Sequence, residues 1–142
     1  MTDRGHGAVE LVLAVGVLLL PVALVVSSFG PWLERRVLAA SAAAEAARVA
    51  VIELDHGSGA AAVRRAVVSH GLTEDLARLG WCGSSTGPLS APEGSCPLTR
   101  GSSALAVVEV WVPLVQTPWG DVGGLWVRAT HAEPVDLFRS LP

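Results

Sequence analysis

The sequence predicts an α+β protein: a long N-terminal transmembrane helix, with short helices and a small antiparallel β-sheet (a hairpin) packed on its outer half. Three observations predict it. Leu11 to Val26 contains no charged residue. Behind that run, Leu33, Val37, Ala40, Ala44, Ala47, Val51 and Leu54 recur at alternating spacings of four and three, the period of a helix that buries one seam. Near the C-terminus, residues 104–115 and 125–133 are rich in β-branched side chains and alternate in polarity, as half-buried strands do.

The first element is the apolar run. Ala8 to Phe29, with only Gly16 and Pro21 among branched and small side chains, rises roughly 33 Å as a helix, about the thickness of a bilayer core. Phe29 and Trp32 suit a headgroup level, and Gly30-Pro31 predicts a kink or break. Orientation pulls two ways. Arg4 and the amino terminus stand against Asp3, while Glu34, Arg35 and Arg36 follow the run, so the basic count slightly favours an outside N-terminus. The cysteines argue for the opposite placement, with the N-terminus cytoplasmic and the C-terminal domain outside.

Glu10 sits at the lip of this run, where an ionised carboxylate costs a few kcal/mol unless it is paired or reaches water. Cleavage after Gly5 would make His6 the first residue and Glu10 the fifth. A new α-amino group and a carboxylate would then lie one helical turn apart, placed for pairing between neighbouring subunits.

A short polar leader ending in Gly, four residues, Glu, and then an apolar helix resembles a type IV prepilin. More narrowly it is similar to the TadE-like family, the type IV pilin-like pseudopilins of tight-adherence (Flp) pilus systems. Ala8-Val9-Glu10-Leu11 fits the pattern around that family's glutamate. The resemblance implies that residues 1–5 are a leader removed by a prepilin peptidase between Gly5 and His6, and that Glu10 sets subunit register. It implies a minor pilin or pseudopilin, a structural component or initiator of a tight-adherence-type pilus or related secretion machine. The implied partners are the peptidase, other pilin-like subunits, the assembly platform and membrane lipid. The segment 131–140 is also similar to the closing stretch of TadE-like proteins. The competing reading is a single-pass membrane-anchored extracytoplasmic binding module, uncleaved, that contacts its ligand through a hairpin at 116–124 carrying Trp119. A signal peptide cleaved near Ala39 to Ala44 would leave Glu10 unexplained.

Composition bounds these readings. Of 142 residues, about 110 remain beyond a span, enough for one small domain and too few for a large enzyme. The net charge of -3 gives no electrostatic footing for nucleic acid. The expected division is a leader at 1–5, a transmembrane segment at 6–29, a continuation of the stem at 30–57 and an α+β head at 58–142. Cys82 and Cys96 bracket a Gly/Ser/Pro-rich segment. A disulfide is the preferred reading and two unlinked thiols the alternative. Two cysteines without a neighbouring His do not fill a zinc shell, so no metal or cofactor is expected. None of the serines lies in a Gly-x-Ser-x-Gly elbow or beside a His and an acid, so no catalytic residue and no enzymatic activity are expected.

The later elements follow in order. Asp55-His56-Gly57-Ser58-Gly59 should stop the stem through a left-handed glycine. Gly59 to His70 reads as a second helix ended by Gly71, and Thr73 to Leu79 as a third, with Thr73 as its cap and Glu74 and Asp75 in its first turn. Residues 80–103 read as loop, with Trp81 at its base. In the strand from 104 to 115, Ala106, Val108, Val110, Val112 and Leu114 share the face expected to meet helix. In the strand from 125 to 133, Leu125, Val127 and Ala129 share one. Gln116 to Gly124 should connect the two.

Overall fold

The computed structural model describes residues 6–117 and 119–136, and within them all side chains except those of residues 6, 8, 24, 27, 28 and 115–117. Helix α1, His6–Glu53, continues through both Pro21 and Pro31 over 48 residues, about 72 Å at the helical rise. The expected continuation of the stem is thus part of the same helix, and the break expected at Gly30-Pro31 does not divide it.

The transmembrane assignment is corrected. Among the described residues no helix is long and apolar enough to cross a membrane, so the span at 6–29 and the single-pass placement with a cytoplasmic N-terminus both fall. Behind Glu10, the uncharged apolar stretch runs only from Leu11 to Val26 before Ser27 and Ser28. It rises about 24 Å, against about 30 Å of hydrocarbon. What stands is a small α+β fold with a four-stranded antiparallel sheet.

The buried stripe of α1 follows the expected seam only at Ala47 and Val51. Leu38, Ala39, Ala42, Ala43, Ala46, Ala47, Ala50 and Val51 are buried, whereas Leu33 and Val37 are 53% and 66% exposed. Alanine on nearly every side of residues 38–50 makes several stripes equally apolar. The partner surface chose the one in which adjacent pairs recur every four residues.

The end of α1 is made without glycine. Leu54 takes the left-handed conformation at φ 56°, and the Asp55 N–H donates to the Ala50 carbonyl at 3.1 Å, a Schellman closure. Asp55 then caps helix α2, His56–Ser69, its carboxylate accepting from the N–H groups of Gly57 and Ser58. Gly57 and Gly59 therefore lie inside α2 rather than stopping α1. A Cβ on Gly59 would stand 2.8 Å from both the Ala46 carbonyl oxygen and the Trp81 ring, so this glycine lets α2 approach α1 with the indole between them. Gly71 ends α2 as expected, at φ 71°, with Leu72 and Gly71 N–H groups returning to the Val67 and Val68 carbonyls.

Where a third helix was expected, Glu74–Leu76 forms only a 3-10 turn and Thr73 makes no side-chain cap. Strand β1, Ala77–Trp81, follows, with Ala77, Leu79 and Trp81 buried and Arg78 exposed. Pairing along the whole of β1 with β3 outweighed a helix-start signal of a few tenths of a kcal/mol per residue. The expected loop at 80–103 contains the short strand β2, Gly87–Pro88, and the disulfide Cys82–Cys96. Closing that loop stabilises the fold by about 3 kcal/mol in the chain-entropy account.

Strands β3, Ser103–Thr117, and β4, Gly120–Pro134, pair antiparallel from Ser103↔Pro134 to Thr117↔Gly120. The connection is far tighter than the expected 116–124. The sheet order is β2-β1-β3-β4. Ala106, Val108, Val110 and Val112 are buried on the predicted face, and the first three join the alanine stripe of α1 and Val63 and Val67 of α2 in one core. Because β1 pairs only with residues 106–110 of β3, the outer part of the hairpin projects as a two-stranded arm.

Candidate functional site

The surfaces available for function follow from the division of α1 into two halves. From Leu38 onward the helix is built into the core, but its first half is not. Leu11, Val17 and Leu20 are 66%, 72% and 64% exposed. Glu10 is exposed on the same half. Gly16 has open space where a Cβ would stand, and it lies in a shallow apolar hollow with Val12, Leu13, Val17 and Leu20. Gly5 and the expected leader lie outside the described residues. His6 begins the helix, so helical spacing places it one turn from Glu10.

A second surface lies where the hairpin arm meets α1. Val112, Pro113, Leu114 and Leu125 of the arm face Val25, Phe29 and Trp32 of the helix across an open cleft of about 400 Å³. The lining side chains are all apolar. Beyond it the arm ends at Trp119, 93% exposed. On the outer face of the arm Trp111 and Trp126 meet edge to face at 5.3 Å, and Arg78 lies 4.2 Å over the Trp126 ring, a cation–π contact that ties β1 to β4. Glu109 accepts a hydrogen bond from the Thr86 hydroxyl and lies 4.0 Å from Arg128.

A third feature is the corner that joins α1, α2 and the disulfide loop. His56, the first residue of α2, packs edge to face on Trp81 with ring centroids 4.7 Å apart. Its Nε2 accepts the Cys96 backbone N–H at 3.2 Å. An acceptor at Nε2 is a neutral imidazole. Burial pushes the ring below the ordinary histidine pKa of 6.5, while the Asp55 carboxylate beside it pulls weakly the other way. Asp55 is itself held below 3.8 by the N–H groups of Gly57 and Ser58, with the Ser58 hydroxyl adding to them. Trp81 is buried with its Nε1 lacking a hydrogen-bond partner among the described residues.

Of the sequence-predicted site residues, Cys82 and Cys96 are joined as the preferred reading had them, and Glu10 is exposed on the first half of the helix. Sequence reasoning missed the cleft. Leu114 continued the apolar alternation one step past the strand's buried end, the trace that a face there needed covering. It also missed the role of His56, which had stood out only as part of a helix stop. Among the described residues no three His, Cys, Asp or Glu side chains are grouped to hold a metal. No family model, characterised protein or solved structure matches the chain.

Proposed function

We propose that the chain is a minor pilin or pseudopilin, a component or initiator of a tight-adherence-type pilus or a related machine. The observation that carries this reading is the unequal use of one helix. Its second half is fixed in the head by an alanine stripe, while residues 9–22 leave large apolar side chains open to a partner. Such a surface is satisfied by the equivalent helices of other subunits, and small residues such as Ala14 and Gly16 favour close approach. In that assembly Glu10 meets the amine freed at His6, and an unpaired carboxylate among packed helices is strongly disfavoured, so their pairing sets the axial register. Prepilin peptidase, other pilin-like subunits and the assembly platform are the partners. No catalytic step is required of this chain.

The test is the mature N-terminus. Coexpressed with a prepilin peptidase, the chain should lose its first five residues, a Gly5 substitution should block the loss, and Glu10→Ala should reduce incorporation into assemblies at least tenfold. A chain that keeps Met1, or assembles unchanged with Glu10→Ala, sinks the reading. The exposed Trp119 favours a second one, a binding module that presents the hairpin tip to a ligand. That reading requires an intact leader and a ligand lost on Trp119→Ala.

A further inference from the structure

Trp119 and the apolar cleft make a donor and an acceptor on one molecule that cannot meet within it. Trp119 is the most exposed of the large hydrophobic side chains described, at 93%. It stands at the tip of the hairpin, beside the Thr117↔Gly120 pair that closes the two strands. The cleft, about 400 Å³ between α1 and the arm, has room for an indole, and its apolar lining asks nothing of the occupant but hydrophobic surface.

We infer that the cleft receives Trp119 from a second copy of this chain. The arrangement is reciprocal, because tip and cleft lie at the same end of the molecule, with the Thr117↔Gly120 pair only about 10 Å from Leu114 along the strand. A twofold axis between two copies therefore brings each tip to the other's cleft, an isologous contact that closes on itself. Two indoles and the cleft walls that they cover bury roughly 600–1,000 Å², the low end for a specific interface, so the pair is reversible. This goes beyond the pilin reading, which uses the helix surface on the N-terminal side of the cleft and does not need the tip.

The experiment is a complementation between full-length chains, one tagged and one not, coexpressed and recovered on the tag. Trp119→Ala removes the donor. Leu114→Glu places a carboxylate in the cleft at a site already 53% exposed. Wild type should retain wild type, while each variant should retain its own untagged copy at least tenfold less. Tagged Trp119→Ala with untagged Leu114→Glu should restore retention, since one intact tip then meets one intact cleft, and restoration shows that both variants fold. Equal retention in all combinations overturns the proposal and assigns association to the helix alone, leaving the pilin reading intact. Failure of the mixed pair to recover also overturns it.

Discussion

His56 holds three parts of the fold through one neutral ring. Its Nε2 accepts from Cys96 and its ring meets Trp81 edge to face, and it follows Asp55, the charged group whose field reaches it. A proton on Nε2 replaces this hydrogen bond with two opposed N–H groups, and the positive end of the α2 dipole disfavours the charge further. With the folded pKa lowered below 6.5, the unfolded chain binds the proton more readily than the native state. This contribution to stability is complete above about pH 6.5 and declines as pH falls from there through the lowered folded value. The urea midpoint should therefore drop between pH 7.5 and 5, and His56→Gln, which keeps an acceptor but does not titrate, should flatten that drop. An equally steep midpoint in the variant would place the pH dependence elsewhere. Nothing in the sequence around His56 announced this, because its partners Trp81 and Cys96 lie 25 and 40 residues away.

The elements were legible in proportion to how local their causes are. Gly71 closed α2 where it was expected because a left-handed glycine after an apolar helix needs only its own neighbours. The alternation of Ala106, Val108, Val110 and Val112 identified the inner face of β3 for a like reason. Thr73-Glu74-Asp75 carried a helix-start pattern and became a short turn before a strand, since β1 gains its place from Val107, Val108 and Glu109 across the sheet. Gly59 belongs to the same group. It was read as a helix boundary and proved to be the point where α1, α2 and Trp81 converge. Gly59→Ala should cost about 1–3 kcal/mol, as overpacking does, despite alanine's better helix propensity of about 1 kcal/mol. Equilibrium denaturation settles the sign. A stabilised variant would mean that the α1 to α2 spacing gives way freely.

At the scale of the whole molecule, the long helix serves two different tasks along its length. The core begins at Leu38, and the strands, α2 and the disulfide loop all lie beyond it in sequence. A chain reduced to residues 33–142 should therefore keep its fold, with its melting temperature within a few degrees of the full chain by circular dichroism, while losing helix-driven association. Collapse of that shortened chain would show that the cleft walls Val25, Phe29 and Trp32 support the arm more than the open cleft suggests.

The sequence by itself indicated a long N-terminal helix, the helix after it, and the hairpin with its inner face, and it favoured a pairing of the two cysteines. Each depends on composition or on spacing within one element. Only the tertiary structure decided which alanine stripe of α1 is buried, that residues 77–81 form a strand, that His56 docks the disulfide loop, and that the arm and helix leave a cleft open. These outcomes compare surfaces far apart in the chain. A row of alanines or a short run such as Ala77 to Trp81 has nearly equal free energy in several arrangements until a partner is present to choose.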